Sequence, residues 1–328
     1  MNKKFCKYMI NSINIHHYGM SFCNKFFSSH DGCLSYNDKD FLKKFLDNRQ
    51  SLINNIKNDK IPDKCSGCEL IQEINEEEIS EKINFIEIYT WLQCNCACFY
   101  CSNRCFTKLK ITTEKNQKGV VDVMPILKQL HKENLLDKNL MISLVGGEPT
   151  LLKEFSDILK FVTKNKYGIS ILSNGILHDK NIVKALEPSS NSYLIVSLDS
   201  GTKETFKKIK GVDKFNDVIE NLKKYIKEAK NAKNKIASKY IILEGVNDNK
   251  EEIDKWIEVC SSIGIKNYFP AIEFCNALAR KEEKPISENV CELYEYIKTK
   301  VKEVNPEYNV MTYDFVENFI KNRSYNLI

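Results

Sequence analysis

Three cysteines at short, fixed spacing are the feature of this sequence best able to carry chemistry. Cys94, Cys98 and Cys101 are separated by three and two residues within the segment CNCACFYC. Three thiolates on one short loop can each bind one iron of a four-iron cluster and leave the fourth iron open to another ligand. A zinc knot completed by Cys96 or Cys105 is the alternative. The spacing therefore predicts a metal centre of one of these two kinds.

Small polar residues follow several short apolar segments, where the strands of a parallel sheet would end. They lie at 146–150 (GGEPT), 173–175 (SNG), 197–201 (SLDSG) and 244–248 (EGVND). Each tract alone is typical of a turn or a helix cap. Two adjacent glycines let the backbone approach a ligand closely, and Glu148 supplies an acceptor for a cation such as an ammonium. Their succession after the cysteine loop predicts one shared binding site.

Six segments rich in Ile, Val, Leu and Tyr are the predicted strands that position these residues. They are 85–92, 140–145, 168–172, 193–198, 237–243 and 267–274. Apolar residues with a 3.6-residue period lie between or after them, as at 253–263 and 290–304, and indicate helices. Six βα units predict an α/β fold with a parallel sheet, either an open partial barrel or a doubly wound sheet. In both architectures the chemistry lies at the carboxyl ends of the strands.

The composition argues against several classes of protein. The net charge of the 328 residues is only +5, and four of the 49 basic residues are arginines, so a nucleic-acid partner is not indicated. No apolar segment approaches the roughly 18 residues of a membrane helix, and residues 1–20 lack the apolar block of a secretory signal. We therefore expect a cytoplasmic protein without membrane contact. In a reducing compartment, the thirteen cysteines favour metal binding over disulfides.

The order of the motifs resembles that of the radical S-adenosylmethionine (radical SAM) enzymes. The cysteine triplet with Tyr100, followed by GGEPTL, LSNG, SLDSG and GVND, is similar to this family over residues 83–275. The resemblance implies a partial (βα)6 TIM-like barrel and a [4Fe–4S] cluster on Cys94, Cys98 and Cys101. It also implies reductive cleavage of SAM, abstraction of hydrogen from a peptide, sugar or other small molecule, and an electron donor such as flavodoxin or ferredoxin.

The resemblance further implies roles for residues at the strand ends. The segment that would bind the ammonium of SAM is Gly146, Gly147, Glu148 and Pro149. The residues that would face its ribose or carboxylate are Ser173, Asn174, Ser197 and Asp199, and those near its adenine are Tyr100 and Val246.

Two features depart from the family pattern. Cys96 and Cys105 crowd the triplet, and we interpret them as bystanders. Lys210 stands where relatives often carry arginine, and it lacks the guanidinium fork.

A second group of cysteines precedes the barrel, and its members are Cys23, Cys33, Cys65 and Cys68. Four such thiols are enough for one metal centre, and Cys6 could replace one of them. The group is similar to the SPASM or Twitch auxiliary-cluster domains of radical SAM enzymes, although those usually follow the core. We predict a second [4Fe–4S] cluster there, with structural zinc as the alternative.

The domain organisation follows from these motifs and from an acidic stretch at 73–81. We predict a small cysteine-rich auxiliary metal-binding module at 1–82, a radical SAM core at 83–280 and a helical extension at 281–328. A non-catalytic iron–sulfur or zinc protein on a barrel scaffold is the alternative function. The intact GGEP tract and strand ends favour the enzyme.

Overall fold

The amino-terminal part of the chain forms short strands and one long helix. The computed structural model describes residues 2–6, 10–17, 19–22, 36, 40–58, 60, 68, 71–75, 80–101, 121–273 and 285–323. The first elements are β1 (Asn2–Phe5), β2 (Ser12–His16), β3 (Met20–Ser21), α1 (Phe41–Lys57) and β4 (Gln72–Asn75). Strands β1 and β4 pair antiparallel as a separate two-stranded sheet.

Alternating strands and helices make up the rest of the fold. The first half comprises β5 (Ile83–Tyr89), α2 (Val123–Lys132), β6 (Leu136–Leu144), α3 (Phe155–Asn165), β7 (Gly168–Ser173), α4 (Lys180–Leu186) and β8 (Tyr193–Ser197). The second half comprises α5 (Lys203–Lys210), α6 (Phe215–Glu228), β9 (Ile236–Ile242), α7 (Lys250–Ser262), β10 (Asn267–Ile272), α8 (Glu288–Val304), β11 (Asn309–Val310) and α9 (Asp314–Asn322). No helix in the described part of the chain is long and apolar enough to cross a membrane.

The main sheet runs in the order β11-β10-β9-β8-β7-β6-β5-β2-β3, counted over the described residues. All neighbouring strands are parallel except the β2–β3 pair. The six predicted strands are confirmed as β5 to β10, although Phe274 lies outside the described residues. Strands β5 to β10 follow one another in chain order without the reversal that a doubly wound sheet requires. The α/β sheet is therefore singly wound, as in a partial barrel.

The two faces of the sheet have different surroundings. On β5, Ile86 and Ile88 point toward the helices and belong to the main hydrophobic core. The alternate residue Glu87 points to the opposite, inner face, because successive side chains of a strand alternate. A smaller apolar cluster of Ile195, Ala237 and Phe269 lies outside that main core. The helices thus cover the outer face, and the inner face carries both apolar and polar side chains.

An unexpected strand from the amino-terminal region extends the sheet. Strand β2 pairs in parallel with β5, and Ile13 and Ile15 enter the main core together with Phe45 of α1. The buried Arg49 of α1 donates to the Ile10 and Glu81 carbonyl oxygens, the latter at 2.6 Å. These contacts tie the start of β2 to the segment before β5, so part of the first 82 residues packs as one unit with the barrel.

Candidate active site

The cysteine loop follows β5 at the carboxyl edge of the sheet and rests on the end of α5. The Ala97 amide donates to the Lys210 carbonyl at 2.7 Å, and the Phe99 amide donates to the Ile209 carbonyl at 3.3 Å. Gly211 ends α5 at φ 69°, and a Cβ there would lie only 2.9 Å from Cβ of Ala97. A side chain at this glycine would therefore separate the loop from the helix.

The thiols of the loop interact with one another. Hydrogen bonds from the Cys96 thiol lower the pKa of Cys94 to about 6 and that of Cys98 to about 7, and the same bonds raise the pKa of Cys96. The pKa values of two of the three predicted ligands are therefore lower than that of a free cysteine, which favours the loss of the proton that metal binding requires. Over the described ranges, no group of three or more His, Cys, Asp or Glu side chains is arranged to hold a metal ion. The donor set suits an iron–sulfur cluster by its chemistry, and its assignment to Cys94, Cys98 and Cys101 stays a prediction.

The GGEP tract packs directly against the start of the cysteine loop. The Gly147 amide donates to the Trp91 carbonyl at 3.1 Å, and the Glu148 amide donates to the Gln93 carbonyl at 2.8 Å. A Cβ on Gly147 would lie 2.1 Å from the Gln93 carbonyl oxygen, so only glycine permits this approach. The end of β6 and the cysteine loop are thus joined through their backbones.

Glu148 connects the ends of β6 and β7. Its side chain is 2% exposed, and its Oε1 accepts from Ser173 Oγ at 2.7 Å and from Thr150 Oγ1 at 2.9 Å. Its Oε2 accepts from the Asn174 amide at 2.8 Å. Burial raises the pKa of Glu148, and these hydrogen bonds oppose that effect. The carboxylate is therefore held in one orientation by residues that the sequence analysis assigned to the same site.

Asn174 completes the link between the strand ends and the cysteine loop. Its Nδ2 donates to Asn95 Oδ1 at 2.6 Å and lies 3.7 Å from Cys94 Sγ. Its Oδ1 accepts from the Ile176 amide at 3.0 Å, which fixes the side chain. The structure thus brings the predicted segments at 94–95, 146–149 and 173–174 together.

A buried charged network on the other side of the loop was not expected from the sequence. Asp199 is fully buried with φ 58°, and its Oδ2 accepts from Tyr100 Oη at 2.8 Å and from Lys210 Nζ. Its Oδ1 accepts from the Ile241 amide at 2.8 Å. Burial lowers the pKa of Lys210, whereas the charges of Asp199 and Cys98 raise it. The raising effects are larger, so the pKa of Lys210 lies above its usual value. Burial, followed by the charge of Asp199, raises the pKa of Tyr100.

Within this network, the side chains of Asp199 and Lys210 bind other groups of the protein. In the described part of the chain, the Asp199 carboxylate accepts from Tyr100, Lys210 and the Ile241 amide, and its predicted contact with SAM stays a prediction. Lys210 is 1% exposed and is engaged by Asp199 and Tyr100. Asn247, which was not selected from the sequence, donates to the Asp199 carbonyl at 2.8 Å. The sequence feature that could have identified Asn247 as a site residue is its position in the GVND tract.

The two residues predicted near the adenine share one apolar environment. Tyr100 and Val246 pack against a buried cluster whose members are Ile209, Ile241, Leu243 and Ala271. Ser197, the remaining candidate in this region, is half-buried at the end of β8 and in register with Lys239. The structure thus brings Tyr100 and Val246 to one apolar environment, and their contact with the adenine stays a prediction.

The second group of cysteines is described only in part. Cys68 is half-buried and Cys6 is buried. Cys23, Cys33 and Cys65 lie outside the described residues, as do Cys105 and Cys275. The amino-terminal metal centre therefore stays a prediction.

Sequence relatives match about half of the chain or less. A "Probable GTP 3',8-cyclase" of Saccharolobus islandicus strain Y.N.15.51 is 29% identical over 173 residues, which is 52% of this chain and 51% of that protein. A "Probable GTP 3',8-cyclase" of Metallosphaera sedula is 34% identical over 125 residues, or 38% of this chain and 37% of that protein. The chain thus matches about half the length or less of these curated relatives.

Solved structures share the fold over a longer range. SuiB of Streptococcus suis bound to the precursor peptide SuiA aligns with a TM-score of 0.55 at 18% identity, covering 88% of this chain and 57% of SuiB. SuiB bound to S-adenosylmethionine aligns with a TM-score of 0.53 at 16% identity, over 84% of this chain and 56% of that one. The family model of the radical SAM superfamily matches residues 88–257, which include the cysteine loop and the strand ends up to β9. Since that match spans more than half of the 328 residues, the chain belongs to the radical SAM superfamily.

Proposed function

We propose that this radical SAM enzyme holds a [4Fe–4S] cluster on Cys94, Cys98 and Cys101 and abstracts hydrogen from a peptide, sugar or other small molecule. The cluster, when bound, supplies the electron that breaks a C–S bond of SAM and yields a 5′-deoxyadenosyl radical. The observation that carries the proposal is the chain of hydrogen bonds from Glu148 through Asn174 to Asn95. It joins the predicted ammonium site to the predicted cluster loop.

The protein's own residues position SAM in this proposal. Glu148 accepts a hydrogen bond from the methionine ammonium. Its hydrogen bonds to the protein fix the orientation of the carboxylate before SAM binds, which lowers the entropic cost of orienting the ligand. Tyr100 and Val246 border the apolar cluster that would receive the adenine. A flavodoxin or ferredoxin would deliver the electron. The similarity to GTP 3',8-cyclases and to a peptide-bound SuiB leaves both a nucleotide and a peptide as candidate substrates.

The test is reductive SAM cleavage by the full chain. The anaerobically reconstituted protein, mixed with SAM and dithionite, should release 5′-deoxyadenosine, which liquid chromatography with mass spectrometry detects. The Cys98→Ala variant is the negative control. A wild-type protein that contains iron and sulfide but yields no 5′-deoxyadenosine would instead support the non-catalytic metal protein.

The second cluster is tested on a variant that lacks the first. We propose that Cys23, Cys33, Cys65 and Cys68 bind an auxiliary [4Fe–4S] cluster. After replacement of Cys94, Cys98 and Cys101 by alanine, about four irons per chain would support it. One zinc per chain would indicate a structural site. A triple variant that contains no metal would show that these four cysteines do not form a second metal centre.

A further inference from the structure

A row of polar side chains crosses the inner face of the sheet below the cysteine loop. Four residues are direct register partners on the adjacent strands β2, β5, β6 and β7, and they are Asn14, Glu87, Ser143 and Ser170. Register partners on neighbouring strands point to the same face of a sheet. The residues that precede them, Ile13, Ile86, Ile142 and Ile169, all belong to the core on the helix side. The polar row therefore points inward.

The side chains of these four residues have no hydrogen-bond partner in the part of the chain that the structure describes. Asn14 is 0% exposed, and neither its Nδ2 nor its Oδ1 has a hydrogen-bond partner there. Glu87, Ser143 and Ser170 are half-buried and likewise make no side-chain hydrogen bond within these ranges. Buried amides in folded proteins almost always have partners, and an exception calls for an explanation such as a bound water, an ion or a ligand. An unpaired amide beside an unpaired carboxylate indicates a place for a ligand.

The position of the row suits a substrate. Glu87 lies two residues before the end of β5, so the row is about 7 Å below the edge where the cysteine loop begins. Apolar rings border the inner face elsewhere, since Tyr313 packs against Phe269 with ring centroids 4.6 Å apart. A molecule on the inner face would therefore meet polar groups at β2 and β5 and apolar groups toward β10.

We propose that Asn14 and Glu87 form a substrate-binding subsite, to which the amino-terminal strand β2 contributes, for a group with an N–H donor beside a carbonyl acceptor. A carboxamide offers a donor and an acceptor in one plane and pairs with such a group through two hydrogen bonds. An ionised carboxylate only accepts, so Glu87 selects a further N–H. A lactam of a nucleobase and an amide of a peptide both fit. The inference rests on the proposed function and specifies its substrate.

The first experiment asks whether the Asn14 amide is unpaired, and it needs no ligand. Asn221 is a matched control, because it is also buried but donates to the Gly175 and Ile176 carbonyls at 3.0 and 2.9 Å. Asn14→Ala and Asn221→Ala remove the same atoms. We expect a clearly smaller loss of thermal stability for Asn14→Ala. An equal or greater loss would show that the amide has an internal partner, and would overturn the subsite.

The second experiment measures ligand binding to the reconstituted full chain by saturation-transfer NMR. The probes are GTP, which carries a lactam; N1-methyl-GTP, in which a methyl group replaces the lactam N–H; and N-acetylglutamine methylamide. We expect wild type and Asn221→Ala to bind GTP or the glutamine probe at least tenfold more tightly than Asn14→Ala and Glu87→Gln do. GTP binding with no binding of N1-methyl-GTP would identify a nucleobase lactam, and binding of the glutamine probe alone would identify a peptide amide.

Two results would overturn the subsite. One is that wild type binds neither GTP nor the glutamine probe, and the other is that Asn14→Ala binds them equally well. Release of 5′-deoxyadenosine from SAM is measured on the same samples. If the protein cleaves SAM but its probe binding does not depend on Asn14, only the proposed subsite is refuted. If the protein does not cleave SAM, the proposed function is refuted.

Discussion

Replacing Lys210 by methionine is expected to destabilise the protein strongly, because it leaves a buried carboxylate without its cation. Lys210 and Asp199 are 1% and 0% exposed and form an ion pair. Removing one partner of a buried pair typically costs about 3–5 kcal/mol. Asp199 keeps hydrogen bonds from Tyr100 Oη and the Ile241 amide, both at 2.8 Å, so we expect the lower end, about 3 kcal/mol.

A double-mutant cycle separates the pair from the individual side chains. Asp199→Asn alone leaves Lys210 unpaired and should cost about as much as Lys210→Met. The double variant contains no buried charge at either position. Its loss in free energy of unfolding should therefore be smaller than the sum of the two single losses by about 2–3 kcal/mol. Urea denaturation followed by circular dichroism gives the free energies of unfolding. Lys255→Met is the control, because Lys255 forms an exposed pair with Glu251 and should cause little change.

The pH dependence of this pair has a defined sign. The pKa of Lys210 is raised in the folded protein, so its contribution is fully present below the unfolded pKa of about 10.4 and is lost as the pH rises through the folded value. Because Cys98 also acts on Lys210 and the pKa of Cys98 is about 7, the comparison is made in a Cys98→Ala background, where the difference in stability between Lys210 and Lys210→Met should stay constant from pH 6 to pH 9. Additive losses in the cycle, or a Lys210→Met variant as stable as wild type, would refute the reasoning.

Three further predictions concern the cofactor site. Glu148→Gln should weaken SAM binding by about 1.5–3 kcal/mol in calorimetric titration, because a charged acceptor is lost; unchanged affinity would remove Glu148 from the site. Gly147→Ala should lower the iron content after reconstitution, because its Cβ would lie 2.1 Å from a backbone oxygen of the cysteine loop; normal iron content would contradict this. Cys98→Ala should abolish SAM cleavage and Cys96→Ala should not; the reverse result would shift the ligand register.

The strands of the barrel core were predictable because parallel strands covered on both faces consist of nearly continuous apolar residues. Segments such as 168–172 and 193–198 show this composition, and the structure has strands there with bounds that differ by one residue at most. The glycines of the GGEP tract were also recognisable, since close backbone approach requires them. Local composition was therefore sufficient for these elements.

Strand β2 and the buried pair were not predictable for a different reason. The sequence SINIH alternates apolar and polar residues, which is typical of a strand with one solvated face, yet all five residues are buried. The Asp199–Lys210 contact depends on a left-handed backbone at Asp199, which no sequence motif marks, and on the position of the end of α5 in the fold. Both features arise from tertiary packing.

The ends of the nine-stranded sheet bear on self-association. Over the residues that the structure describes, its edge strands β3 and β11 contain only two residues each, and short edge strands offer few free backbone groups to another chain. Without β2 and β3, the edge would be β5, whose sequence INFIEIY is rich in β-branched and aromatic residues. Such a strand is a template for aggregation until it is paired. Because residues 17–82 separate β2 from β5, this pairing closes a long loop, and β5 presents an open edge until that loop has closed.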